Sequence, residues 1–379
     1  MVSRITKLAF VMVGYLALLA ALPAGQYKVR TEDGVTIVTN GRKPTPSAGA
    51  PTKLVLEELY TVGGGDSPDA SFVLATGLDV LPDGTVYVID SKDSRVKVFD
   101  AAGKFVRAFG RQGQGPGEMN QPTGILVSPE KEVLVEDLLN RRLAVFGLDG
   151  AFLRHVSTAK ALGINGIQMD GRGTIVARSM GLAEGGKMAL EVKTYDAEFN
   201  PKVKLASFEM QVAGGAKINP FSAMDLLCVL GREGLIYLGS ARAYEIRVVA
   251  ADGKPVKTIA RDYGPVPFTQ ADKDEMMERL AGMPGGAANL EAMVQLPDVF
   301  PPFSYFLLTD EGRLLVKTFE KGPAEKEFYW DVFDADGRYI ARVPLADDIQ
   351  LWRDGKAYLF VEDDDGYRVL RCCQARWER

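Results

Sequence analysis

An all-β fold is what this sequence predicts, and three observations predict it. The first is self-similarity. GLDVLPDGTVYVIDSKDSRVKVFDAAGKFVRAFG (Gly77–Gly110) recurs without a gap at Gly124–Ser157, an offset of 47 residues. That offset sets Asp90 on Asp137, Arg95 on Arg142 and Phe99 on Phe146. The second is local pattern: each unit divides into four short alternating stretches, rich in β-branched and aromatic residues, with Asp-Gly turns between them. The third is number. Weaker copies begin at Asn165, Leu226, Ser304 and Asp347, which makes six units. Four-stranded repeats of about 40–50 residues specify a β-propeller, and six units specify six blades.

The elements follow in chain order. Arg4 and Lys7 precede an uncharged run, Leu8–Leu22, followed by Pro23, Ala24 and Gly25. That order marks residues 1–25 as a signal peptide or an uncleaved anchor, and so a periplasmic or secreted protein. Residues 26–52 form an N-terminal extension and 53–379 the propeller. The last unit runs out of chain after its third strand. KLVLEELYTVG (Lys53–Gly63) supplies the fourth from the other terminus, which removes an open sheet edge. An insertion, Arg261–Phe303, interrupts the repeat between blades 4 and 5; QADKDEMMERLAGM and ANLEAMVQL read as short helices, either a lid or a packing cap.

VYVIDSKDSRVKVFDAAGKFVRAFGRQGQGPGE, YEIRVVAADGK, PDVFPPFSYFLLTDEGRLLV and WDVFDADGRYI together resemble exported bacterial six-bladed propellers of the NHL-repeat / TolB-like type, and GVTIVTNGRKPTP resembles their N-terminal segment. The resemblance implies the fold more than an activity. Within it, GRQGQGPGEMNQPTG (Gly110–Gly124) is a blade-crossing loop, because a dinucleotide fingerprint needs a helix after the glycines and here a strand follows.

Composition excludes some functions. A hydrophobic share of 46% and a charged share of 25% are ordinary for a globular chain, and a net charge of −5 with no basic stripe argues against nucleic acid. His155, the only histidine, aligns with Ala108 on an outer strand, so neither a Ser-His-Asp triad nor a histidine-ligated zinc can be built. ARSMG (Ala177–Gly181) resembles a nucleophile elbow but has no base. Cys228, Cys372 and Cys373 read as small buried hydrophobes without a bridge, Cys372 and Cys373 pointing to opposite faces of one strand. The pairs Asp90/Arg95 and Asp137/Arg142 recur in successive blades and so read as hairpin-fixing salt bridges.

What remains is one face of the disc. Loops from outer to inner strand, and from second to third strand, open on the same side. The start of the inner strand there holds Thr76, Thr123, Asn165, Leu226, Ser304 and Asp347, five of them polar, a binding ring at the channel mouth. Blade 6 adds Asp348 beside Asp347, and Glu362, Asp363, Asp364 and Asp365 in its hairpin. The expected function is a non-catalytic scaffold that binds a peptide, protein or carbohydrate and needs no cofactor. The alternative is a hydrolase or lactonase of the gluconolactonase-like type, with Ca2+ or another divalent ion on Asp347, Asp348, Asp363 and Asp365.

Overall fold

The computed structural model describes residues 26–379 except 66, 162, 183–186, 211–216, 218, 232, 241 and 282–293. The leader expected at 1–25 lies outside the described residues, as does most of the second insertion helix expected at ANLEAMVQL.

Six sheets make the six blades, each built on four antiparallel strands. The chain opens with a hairpin, β1 (Tyr27–Glu32) and β2 (Val35–Asn40), and then β3 (Lys53–Val62). Blade 1 is β4 (Ala75–Val80), β5 (Val86–Asp90), β6 (Arg95–Phe99) and β7 (Phe105–Phe109). A crossing loop carries the two-residue strands β8 (Arg111–Gln112) and β9 (Glu118–Met119). Blade 2 is β10 (Pro122–Val127), β11 (Glu132–Asp137), β12 (Arg142–Gly147) and β13 (Phe152–Ser157). Blade 3 is β14 (Asn165–Met169), β15 (Ile175–Leu182), β16 (Met188–Tyr195) and β17 (Pro201–Glu209). Blade 4 is β18 (Leu227–Leu230), β19 (Ile236–Gly239), β20 (Glu245–Val249) and β21 (Pro255–Arg261). After α1 (Gln270–Ala281) comes blade 5: β22 (Tyr305–Leu308), β23 (Leu314–Lys321), β24 (Phe328–Phe333) and β25 (Tyr339–Leu345). Blade 6 is β26 (Ile349–Arg353), β27 (Lys356–Glu362) and β28 (Arg368–Glu378), with β3 as its outer strand, antiparallel to β28.

The core is divided into six packets, one between each pair of neighbouring blades. The reason is the period-2 alternation of a strand, which aims successive side chains at opposite faces. In β5, Val86 and Val88 pack toward blade 6 while Tyr87 and Ile89 pack toward blade 2. The adjacent Cys372 and Cys373 part in the same way, to the packets shared with blades 1 and 5. All three cysteines are free thiols.

Two arrangements depart from the sequence reading. The extension does more than precede the propeller: β2 runs parallel to β21, from Thr36 opposite Lys257 to Asn40 opposite Arg261, and makes blade 4 a six-stranded sheet. The recurring Asp-Arg pairs also differ. Asp137 pairs with Arg142 at 2.8 Å, whereas Asp90 pairs with Lys97 at 3.3 Å and Arg95 turns to Asp93. The physical reason is one position: Lys97 is buried on the Asp90 side of its hairpin, and its counterpart in blade 2 is Ala144, so there the arginine takes over. Both aspartates are buried and accept backbone N–H groups from the incoming loop, Val73 and Leu74 in blade 1 and Asn120 in blade 2.

The glycine-rich crossing loop is held from blade 2. The Arg142 guanidinium donates to the carbonyls of Gln114 and Glu118, and Gly110 and Gly117 adopt φ of 87° and 72°, which a side chain would oppose. The insertion carries a small core of its own: Met276 of α1 packs with Phe268, Phe300 and Phe319, and with Phe221 of the segment leading to β18.

Candidate functional site: the channel mouth

The inner strands β4, β10, β14, β18, β22 and β26 line the channel, and side chains tie most neighbours together. Asp79 accepts from Val127 N at 2.7 Å across blades 1 and 2. The Glu136 carboxylate accepts from Ile167 N at 2.7 Å across blades 2 and 3. Gln168 acts as a strand partner to blade 4, donating to Cys228 O and accepting from Leu230 N. Tyr305 donates to Ile349 O, and Arg353 closes the ring by donating to Val80 O and pairing with Asp79.

The ring residues each have local roles. Thr76 hydrogen-bonds Ser91 at 2.9 Å, Thr123 donates to Glu136 at 3.2 Å, and Asn165 donates to Gly163 O. Ser304 caps Lys317 O at 3.4 Å, and Leu226, the apolar member, is buried. Asp347 pairs with Arg371 at 3.2 Å, and Asp348 pairs with Lys317. Asp363 accepts N–H groups of Asp365 and Tyr367 within its own turn. Two of the four carboxylates nominated for a metal are therefore held by cations and a third by turn N–H groups, and among the described residues no group of three or more His, Cys, Asp or Glu converges as a metal site would require. Ser179 of the ARSMG stretch is fully buried inside β15. His155 lies on the outer strand β13, against Arg142.

One feature of the channel wall was not read from the sequence. Under the mouth, between blades 3, 4 and 5, lies a cavity of about 130 Å³. Gly166, Gln168 and Arg178 line one side, Leu227, Cys228 and Val229 a second, and Tyr305 and Phe306 a third. Burial pushes the Cys228 thiol up to about 12 and the Tyr305 hydroxyl well above its usual range, so both stay neutral. Among the described residues, the Arg178 guanidinium makes no hydrogen bond and no ion pair. Arg178 sits within ARSMG, and the only sequence signal was a comparison across blades. Its repeat position holds Ile89, Glu136, Arg178, Gly239, Lys317 and Phe360, three of them charged.

The loops above the channel differ from those below. Of the large apolar side chains that are exposed, Val73, Leu74, Leu138, Leu139, Leu182, Val299 and Tyr367 lie in mouth-face loops or hairpin ends. The remaining five, Tyr27, Val29, Leu59, Val106 and Leu153, lie on strands at the rim. Among the described residues, none is in the opposite face's turns.

Comparison with known proteins agrees with this architecture. Residues 80–203 match the model of a family described as 6-bladed beta-propeller (DUF5128). The RING finger protein nhl-1 of Caenorhabditis elegans is 46% identical over 61 residues, 16% of this chain; the chain spans about 6% of the length of that curated relative. A Bacteroides fragilis protein of known structure superimposes with a TM-score of 0.55 at 14% identity, covering 90% of this chain and 100% of that one. Virginiamycin B lyase from Staphylococcus aureus gives 0.45 at 9% identity, covering 84% and 99%. At 14% identity the likeness to the Bacteroides fragilis protein shows the fold alone. The protein is an all-β six-bladed propeller, and no helix among its described residues is long and apolar enough to cross a membrane.

Proposed function

We propose that the protein is an exported, non-catalytic scaffold that takes a protein or peptide partner on its channel-mouth face. The observation that carries this reading is the distribution of exposed apolar side chains: among the described residues, every large one that lies in a loop or at a hairpin end is on that face. Apolar side chains gathered on one side of a disc, with polar turns on the other, mark an interaction surface. Six of the seven are aliphatic, which suits a polypeptide better than a sugar ring. The rigid scaffold beneath keeps the ordering cost of binding low. The uncharged run Leu8–Leu22 behind Arg4 and Lys7 supports export.

The test begins with peptides selected from a display library against the full chain. Their affinity is then compared for a face variant, Val73→Ser with Leu139→Ser, and a rim variant, Val106→Ser with Leu153→Ser. The face variant is expected to bind at least tenfold more weakly and the rim variant unchanged. Equal binding by all three proteins would remove the mouth face as the docking surface.

A further inference from the structure

Glu136, Arg178 and Lys317 occupy one and the same place in blades 2, 3 and 5. Each opposes the second residue of its inner-strand segment: Gly124 beside Glu136, Asn165–Gly166 beside Arg178, Tyr305 beside Lys317. From there a long side chain reaches across the channel wall to the start of the next blade's inner strand. Glu136 finds the backbone N–H of Ile167 in blade 3. Lys317 finds the carboxylate of Asp348 in blade 6. Arg178 reaches toward blade 4, where the counterpart of Asp348 is Leu227, and both Arg178 and Leu227 line the 130 Å³ cavity.

We propose that Arg178 binds the carboxylate of an external ligand in this cavity, at the place that Asp348 fills against Lys317. The proposal is independent of the docking of a partner on the loops, because it concerns the channel wall beneath them. The guanidinium offers five N–H donors in a planar fork that matches two carboxylate oxygens. The other polar side chains are engaged: Gln168 with Cys228 O and Leu230 N, Tyr305 with Ile349 O. Glu136 is engaged with Ile167 N and Thr123 Oγ1, and among the described residues no ion pair links it to Arg178.

The class of ligand follows from the walls. Leu227, Val229 and Phe306 offer no donors, so the further oxygens of phosphate or sulfate would be left unsatisfied there. A monoanion with one carboxylate and a short apolar body fits. An apolar cavity of about 150 Å³ takes a benzene-sized molecule, so the space here suits a branched acid of about four carbons. Such a carboxylate belongs either to a free short-chain acid or to the C-terminus of a peptide that ends in a small apolar residue.

The probes are isobutyrate, isobutyramide, inorganic phosphate, and Ala-Ala-Val with a free or an amidated C-terminus, titrated calorimetrically into the full chain. Saturable binding by isobutyrate, by the free-acid tripeptide or by both is expected; which one binds identifies the source. The two amides and phosphate are expected to be silent. Arg178→Gln should weaken binding at least tenfold with an unchanged ligand-free melting temperature, since its guanidinium makes no hydrogen bond or ion pair among the described residues. Leu227→Asp keeps the arginine and supplies the missing carboxylate from within, and should also abolish binding. Should either variant fail to fold, the wild-type discrimination of acid from amide still decides. No acid binding, equal binding of acid and amide, binding of phosphate, or full binding by a folded Arg178→Gln protein overturns the proposal.

Discussion

Blade 4 meets its two neighbours in opposite ways. Toward blade 5 it presents Arg261, whose guanidinium is buried and paired with the fully buried Asp331. Tyr244 and Tyr339 donate to the same carboxylate, at 2.5 and 2.7 Å. Burial, reinforced by the Asp331 charge, pushes the Tyr244 hydroxyl well above its usual value, so it remains a donor. Asn40, at the end of β2, completes the seam by donating to Ala260 O and Gly337 O and accepting from Tyr339 N. Toward blade 3 the cation is Arg178, and what faces it is Leu227 and a cavity. A guanidinium enclosed with its carboxylate is structural glue; one left facing an apolar wall is available to a ligand. The propeller makes both from similar strands, and the residue across the junction decides which.

Three experiments bear on this contrast. The largest effect is expected from Asp331→Ala, which converts the sealed junction into an unpartnered one. It leaves Arg261 buried and uncompensated, and the expected loss is about 3–5 kcal/mol in denaturant unfolding. A loss under about 1 kcal/mol would mean that the cluster is not what holds blades 4 and 5 together. A smaller effect is expected from Asn40→Ala. It removes three hydrogen bonds, two of them buried, and leaves their backbone partners unsatisfied, at about 1–3 kcal/mol, with faster amide exchange along β2. Unchanged exchange there would show that the parallel strand holds itself.

The smallest effect concerns Glu136, which occupies the position of Arg178 with the opposite charge. Burial raises its carboxyl above the ordinary 4.5, against the pull of Ile167 N and Thr123. A group with a raised folded value binds its proton more tightly in the folded state. Its contribution is therefore full below pH 4.5 and is lost as pH rises through the folded value. Melting curves of wild type and Glu136→Gln between pH 4 and 8 should diverge over that window, with the wild type declining more. Parallel curves would show that Glu136 carries no such strain.

Much of the architecture is legible from residue order alone. The alternation in VYVID and the Asp-Gly turns are local, and Lys53–Gly63 reads as a strand before its partner β28 is known. Even the outward place of His155 follows from the offset that sets it on Ala108. The site is legible only in part. The ring positions can be counted off the repeats, and so can the charge at the Arg178 position in three of them.

The local period, the number of blades and the polar mouth were determined by the sequence itself, because strand alternation and turn chemistry act between near neighbours. The tertiary structure decided the rest: that β2 joins blade 4, that Asp90 takes Lys97 instead of Arg95, that Asp347 and Asp348 are held by Arg371 and Lys317, and that Arg178 faces a cavity. In each case the outcome depends on which group of a neighbouring strand or blade stands within hydrogen-bonding reach. Electrostatic pairing is settled over a few ångströms of space, and the closure of the ring sets those distances between residues far apart in the chain.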